Sequence, residues 1–402
     1  MATVTCALAL SAAVPVWPSQ AAPQPATPAE RLRQALLRVE PSERVVRVVV
    51  DTNGRIRVAG VVLTYDPRQR DPVPALQTRT WRLAAVAFAT LADLTEFHVT
   101  AFHHAGGWFD GNRWDVTFTA AVSARELRAA ADGSADRVLR SWAHPALRVW
   151  PAAQRMAALD VYARSLAPIT YESQPTFVGR AVERIVELRD RLISMFRGGP
   201  SDGKIFRGAP NRTAIALTFD DGPVPVYTTL LLDTLRSLNV RSTFFLIGTR
   251  VLQYPYLARA IADDGHEVAN HTHTHPTLTQ LPPAVLRTEI AQAQRAITAA
   301  TGRTPRYFRP PGGQYNTAVV REASRQGLAT VLWSDAPGDH TAPAPAELAD
   351  RITRSARNGG IVLLHQGIPQ TIQALPAVAS ELRRRGFSLL TVTDVVSEEE
   401  AS

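Results

Sequence analysis

The chain has 402 residues, 45% hydrophobic and 20% charged, which is close to globular averages and long enough for two domains of ordinary size. Its net charge of +8 rests on scattered arginines, Lys204 being the only lysine, without the dense basic block of a nucleic-acid surface, so no nucleic-acid partner is expected. The single cysteine, Cys6, excludes an intramolecular disulfide and any cysteine-based zinc site, leaving histidine and carboxylates to bind any metal.

Residues 1–28 read as a lead. An apolar stretch from Ala7 to Trp17 precedes Ser19-Gln20-Ala21, whose small residues suit a signal peptidase. Export to an extracytoplasmic location is the expectation, with an uncleaved tail or a misplaced start codon as alternatives. No run reaches the roughly 18 apolar residues a membrane helix needs.

A helix is expected over Glu30 to Val39, then strands over Val45 to Val50 and Arg55 to Thr64 about an Asn53-Gly54 turn. A helix over Trp81 to Leu94 follows, then strands over Glu96 to Phe102 and Trp114 to Ala120, and a helix opened by a Ser123/Glu126 capping box. Together these make a small α+β accessory domain over 29–170, of unassigned role. His98, His103 and His104 have no carboxylate or cysteine at ligand spacing and read as solvated polar positions. In "TFVGRAVERIVELRDRLISMF", Val178, Val182, Ile185, Val186, Ile193 and Phe196 share one helical face. With the Gly- and Pro-rich "RGGPSDGKIFRGAPNRT" it forms a helix and linker over 171–210, the clearest domain boundary.

From 211 to 397, seven apolar runs alternate with helical patterns: "AIALTF", "STFFLI", "HEVA", "RYF", "ATVLW", "GIVLL" and "SLLTV". Seven β/α units predict a parallel sheet with barrel-like closure. Chemically able side chains follow five of these runs: Asp220 and Asp221, His271 and His275, Arg309, Asp335 and Asp339, and His365. Parallel strands put their C-termini on one rim, so residues far apart in sequence converge on one concave site.

One carboxylate and two imidazoles would leave a coordination position open, as a catalytic metal requires. A helical turn would bring His271 and His275 to one side; an extended strand would instead align them with His273. "NHTHTHP" alone fits a solvent-facing loop equally well. Asp220-Asp221 alone is an ordinary helix cap, but beside the histidines one carboxylate can bind metal while the other takes a proton from water.

In this order, "LTFDDGP", "NHTHTHP", "FRPPGG", "LWSDAPGD" and "LLHQG" resemble the five motifs of the NodB-type polysaccharide deacetylases, carbohydrate esterase family 4, over roughly residues 204 to 396. The resemblance implies a distorted (β/α)7-type barrel, the NodB homology domain, over 211–397 behind the small α+β domain. It implies that Asp221, His271 and His275 bind a divalent metal, most often zinc, and that Asp220 is the general base, held by Arg309. It further implies that Gly312 supplies the backbone N–H for the oxyanion and that His365 is the general acid, oriented by Asp339. The implied reaction is hydrolysis of N-acetyl groups on a glycan polymer. Peptidoglycan N-acetylglucosamine is the leading substrate; chitin oligomers and poly-N-acetylglucosamine follow.

Departures from the family pattern bear on substrate preference: His340 stands where many relatives carry tryptophan, Gln366 where an acid is common, and Gly312 in place of a frequent aromatic. Trp333 and Tyr315 are candidate substrate contacts, Trp333 equally suiting a core aromatic at a strand end. His273 is expected to point away from the metal, His266 to be structural, and Asp335 to bond locally. A monomer is expected. The competing readings are a non-catalytic glycan-binding or envelope-structural protein on the same scaffold, and a deacetylase of a small non-carbohydrate amide.

Overall fold

The computed structural model describes residues 26–40, 45–65, 72–103, 116–131, 139–143, 200–201 and 203–397. The leader up to residue 25 and the helix expected within 176–196 lie outside the described residues, as do His104 and Trp114.

Five strands form the first sheet: β1 (Val45–Thr52), β2 (Arg57–Tyr65), β3 (Leu94–His103), β4 (Val116–Ser123) and β5 (Arg140–Ala143), ordered as numbered. Only the β2/β3 pair is parallel, because helix α2 (Pro72–Thr90) carries the chain back between them. This helix begins nine residues before the expected start and ends before Leu94, which opens β3 instead. Val73, Leu76, Thr80, Leu83, Ala84 and Ala87 extend its buried stripe, and the prolines fall in the first turn, where no intrahelical N–H is lost.

Helix α1 (Pro28–Leu37) is opened by a Thr27/Glu30 capping box, and α3 (Ala124–Ala131) by reciprocal Ser123 and Glu126 bonds of 2.6 and 3.2 Å. Alternation decides the two faces of the sheet. Ala59, Val61, Leu63, Phe97, Val99 and Phe118 make a core with Leu32 and Leu36 of α1 and Leu76, Leu83 and Ala87 of α2. The opposite face, with Val58, His98, Thr100 and Thr119, turns toward the second sheet.

That second sheet contains all seven expected runs, as β8 (Ala214–Gly222), β9 (Thr243–Leu246), β10 (Glu267–Asn270), β11 (Tyr307–Phe308), β12 (Ala329–Val331), β13 (Gly360–His365) and β14 (Ser388–Leu390). Every pairing among them is parallel, in the order β13-β8-β9-β10-β11-β12. A parallel bridge from Asp335, just past β12, to Val362 of β13 closes the ring. The barrel is distorted in two ways. β14 pairs only with the first half of β8, before β9 takes over that edge. Closure rests on an isolated bridge and its neighbour: Asp335 N–H to Ile361 O (3.2 Å), Leu363 N–H to Asp335 O (2.9 Å) and Ser334 N–H to Ile361 O (3.0 Å).

The segment 200–209, expected to be linker, is built into this sheet. β6 (Pro200–Ser201) and β7 (Lys204–Ile205) form a hairpin whose second strand pairs with β12, and Gly208 N–H reaches Gly359 O at 2.7 Å. Glycine-rich composition signalled a break, but Ile205 and Phe206 are buried and draw the segment onto the barrel.

The two units share apolar contact. Val58 belongs to the same buried cluster as Leu230, Leu231 and Val226, and Val49 and Ile56 pack against it. Asn53 Nδ2 donates to Leu230 O (3.2 Å) and to Asp233 (2.9 Å) on α4 (Tyr227–Ser237), so the turn expected only to join two strands also ties the units together. Among the described residues no helix is long and apolar enough to cross a membrane.

Candidate active site

β8 ends in the Asp220-Asp221 pair, and its backbone sends the two side chains different ways. Asp220 is still in strand register, opposite His365 of β13. Asp221 takes a left-handed φ of 68°, which breaks the alternation and lifts its carboxylate toward the histidines. Past β10, the stretch 271–275 is neither the helical turn nor the strand considered from sequence. Thr272 and His275 adopt φ of 66° and 63°, and His275 N–H donates to Thr272 Oγ1 at 3.0 Å. This coil brings the His271 and His275 rings to 5.0 Å between centroids.

His275 Nε2 lies 3.1 Å and His271 Nε2 3.4 Å from Asp221 Oδ1, an oxygen that is buried and lacks a well-aligned hydrogen bond. Zinc–ligand bonds of ~2.1 Å in a tetrahedron hold neighbouring donor atoms ~3.4 Å apart, so these residues fit a divalent ion without rearrangement. His271 Nδ1 faces Arg309 O at 2.8 Å and donates to it, which fixes the tautomer and leaves Nε2 as a lone-pair donor toward the cluster. Burial would raise the Asp221 pKa, but the two imidazoles hold it well below the carboxylate range.

Arg309, wholly buried past β11, fixes Asp220. Its Nη1 donates to Asp220 Oδ1 (2.7 Å) and Thr218 Oγ1 (2.8 Å), Nη2 to Leu332 O (3.0 Å) and Nε to Val331 O (3.3 Å), while its guanidinium lies 3.9 Å over Phe245. Burial lowers its pKa, with Asp220 pulling the other way. Asp220 Oδ2 remains 3.7 Å from His271 Nε2, beside the cluster rather than inside it.

A second pair stands beside it, His365 being the register neighbour of Asp220 on the adjacent strand. Asp339, 1% exposed, accepts from His365 Nδ1 (2.8 Å), from His365 N–H (2.8 Å) and from Thr371 Oγ1 (2.9 Å). Burial disfavours the His365 cation, but the Asp339 hydrogen bond and charge, with Asp220 and Asp221 beyond, outweigh it and raise its pKa above the ordinary imidazole value. His340 sets its ring edge-on to His365, with centroids 5.9 Å apart. Asp339, His340 and His365 also place donor atoms within 4.8 Å of one another, although both Asp339 oxygens are already engaged.

Gly312 sits exposed in a tight turn with φ 61°. Trp333 packs so close to the next residue that a Cβ on Gly313 would come within 2.4 Å of its ring, and it flanks Arg309 at 5.8 Å. Tyr315 packs on Phe206 with ring centroids 6.4 Å apart, and Lys204 lies over it. Gln366 lies over Gly222, where a Cβ would collide with its amide at 1.6 Å, and accepts from Thr228 Oγ1. His273 is turned toward Gly248, and burial lowers its pKa to about 4. His266 accepts from Ser242 N–H (3.2 Å) and packs on Phe244. Asp335 accepts from Ser355 Oγ, besides closing the barrel.

Two residues depart from the sequence reading. Glu289, mid-helix in α5 (Pro283–Thr301), is buried and clamps the histidine coil, accepting from His273 N–H (3.0 Å), Thr274 N–H (2.8 Å) and Thr274 Oγ1 (2.8 Å). Nothing in "RTEIAQ" marks that glutamate as different from a solvated one. His98 is not solvated. It is 1% exposed, with Nε2 at 2.9 Å from Glu96 Oε1 and at 3.3 Å from Thr229 Oγ1 of the barrel. Its carboxylate partner is two residues away on the same strand face, a spacing that is no metal signature but does allow an ion pair.

Fold and cluster together define an α/β-barrel protein able to hold a divalent metal at its rim. The family model for polysaccharide deacetylases matches residues 207–331. A peptidoglycan-N-acetylglucosamine deacetylase of Bacillus cereus is 38% identical over 191 residues, covering 46% of this chain and 89% of that protein. A chitooligosaccharide deacetylase of a Bradyrhizobium species is 40% identical over 191 residues, covering 44% and 87%. A crystal structure of a carbohydrate esterase family 4 pseudoenzyme from Bacillus anthracis aligns with a TM-score of 0.48 at 31% identity, covering 50% of this chain and 72% of that one. The chain belongs to the polysaccharide deacetylase family, a family of hydrolases.

Proposed function

We propose that this protein is a metal-dependent N-deacetylase of an N-acetylated polysaccharide, with peptidoglycan N-acetylglucosamine as its first substrate and chitin or poly-N-acetylglucosamine as further ones, acting outside the cytoplasm. The observation that carries this is that two separately buttressed side chains suited to acid–base work, Asp220 on Arg309 and His365 on Asp339, sit at the same rim as the Asp221, His271 and His275 cluster. A non-catalytic scaffold has no physical need for both.

Asp221, His271 and His275 would hold a divalent ion, zinc in this reading, which would supply the Lewis acidity needed to polarise the amide carbonyl and to make water nucleophilic near neutral pH. Asp220 is outside the donor set and free to take the proton from the attacking water, while Arg309 holds its other oxygen. The Gly312 N–H donates to the developing oxyanion. His365, whose protonated form Asp339 favours, gives its proton to the departing sugar nitrogen, releasing acetate and a free amine.

The test is acetate release by purified protein from peptidoglycan, chitin oligomers and poly-N-acetylglucosamine, before and after chelation and zinc restoration. Release that is lost with chelator and regained with zinc is expected. No release from any of the three with zinc restored refutes the reading in favour of a glycan-binding scaffold, and release from small non-carbohydrate amides alone favours the third reading.

A further inference from the structure

The face of the small sheet that meets the barrel also borders open space. Arg47, Val49, Val62 and Thr100 line one side of a cavity of about 650 Å³, and Asp221, Arg250 and His275 line the other. Two residues of the metal-donor cluster therefore face a space whose opposite wall is the accessory domain. The volume falls within the ~300–1,000 Å³ typical of small-ligand sites.

That wall is held in place. Val58 is buried in the barrel's own apolar cluster, and Thr229 donates to Glu96 at 3.0 Å. Thr119 donates to Gln253 O, and Arg55 pairs with Asp233 at 3.2 Å. Glu96 is itself locked by His98 and Arg140, and although burial opposes its charge, these partners lower its pKa to about 2. A module tethered only to hold the enzyme near a surface would not need such docking on the helix that follows the catalytic aspartates.

The lining has a chemical bias. Tyr227, Tyr254 and the valines offer apolar and aromatic surface of the kind that packs on a sugar ring. Among the described residues its only carboxylate is Asp221, which lies against the two imidazoles. Arg47 and Arg250 form no ion pair among the described residues, and Arg250 donates to the backbone oxygen of Asp221. Two guanidinium groups with no ion-pair partner among the described residues, beside a hydroxyl-compatible cavity, suit a carboxylate on the ligand.

We propose that the small domain is part of the substrate site: the cavity is a subsite for the sugar unit next to the one that loses its acetyl group, and Arg47 with Arg250 recognises a carboxylate on that unit. This deepens, and rests on, the deacetylase reading above. It gives residues 29–143 a role in choosing among acetylated glycans: an acidic glycan is preferred over neutral chitin.

The experiment compares the 402-residue protein with its Arg47→Ala and Val62→Trp variants, whose folding is checked by thermal melts and whose metal content is measured. Chitotetraose is the neutral probe, and a tetrasaccharide of alternating N-acetylglucosamine and N-acetylmuramic acid with free carboxylates is the acidic one. Acetate release gives kcat and KM, and calorimetry on metal-free protein gives affinity without turnover. Arg47→Ala is expected to raise KM and weaken binding roughly five- to tenfold for the acidic probe alone, with kcat kept. Val62→Trp, which fills the cavity, is expected to weaken both probes.

Unchanged KM and affinity in both variants overturn the subsite, and an equal effect of Arg47→Ala on both probes overturns the carboxylate preference. Wild-type binding with the expected variant effects but no acetate release leaves the subsite standing and refutes the deacetylase reading. Release without any variant effect does the reverse, and neither binding nor release overturns both.

Discussion

Replacing Arg309 by methionine isolates the group on which the proposed base depends. The guanidinium is 0% exposed and makes four hydrogen bonds, to Asp220, Thr218, Leu332 O and Val331 O. Methionine fills much of the aliphatic volume over Phe245, so the cavity contribution is small. The loss is then electrostatic: a carboxylate 3% exposed is left without its countercharge. Breaking one half of a buried pair costs about 3–5 kcal/mol, a large fraction of the ~5–15 kcal/mol that holds a typical domain. Arg309→Lys keeps the charge but not the fork, and should lose less. Removing both charges in Asp220→Asn with Arg309→Met should give a protein more stable than Arg309→Met alone, because no unpaired carboxylate remains. Chemical denaturation followed through tryptophan fluorescence reads this, Trp333 lying 5.8 Å from the guanidinium. If Arg309→Met loses less than about 1 kcal/mol, or the double variant is the least stable of the three, the buried pair is not the organising interaction argued for it.

Asp220→Asn should lower kcat about 10²- to 10⁴-fold with bound metal nearly unchanged, whereas His275→Ala should lose metal; equal metal loss in both, by elemental analysis, contradicts the division of roles. Asp339→Asn should move the basic limb of the kcat/KM profile to lower pH, since Asp339 raises the His365 pKa and a weaker pull releases the proton sooner. The same raised pKa adds stability that is fully present below the unfolded imidazole value and lost as pH rises through the folded one, so the gap between wild type and variant should widen toward acid; a limb that stays in place refutes the pairing. Glu289→Gln should weaken metal affinity about 10- to 100-fold by loosening the coil that carries His275, measured by competition with a chelator, and unchanged affinity would make that clamp dispensable.

The candidate-site residues were legible because each closes or follows an apolar run. Once "AIALTF", "HEVA", "RYF" and "GIVLL" read as parallel strands, chain geometry requires Asp220, His271, Arg309 and His365 to meet at one rim, and the structure brings them together. What periodicity could not show is how Asp221 and His275 reach each other. That depends on left-handed backbone at both residues, in a coil clamped by Glu289, and a mid-helix glutamate carries no local mark of its partner. Segment 200–209 misled for a related reason, since its glycines and proline outweighed two buried residues whose partners are more than a hundred positions away.

The division follows from the range of the forces. Strand and helix patterns, capping boxes and the order of motifs are set by near neighbours, and the sequence by itself determined an α/β barrel with its candidate acid–base and metal-donor residues at one end, behind a small α+β unit. Only the tertiary structure decided that His98 is buried against Glu96 and Thr229, that Asn53 ties two domains, and that the accessory sheet faces Asp221 and His275 across a cavity. These contacts join residues up to 180 positions apart, and the docked surface of a domain is not encoded in the spacing of its own side chains.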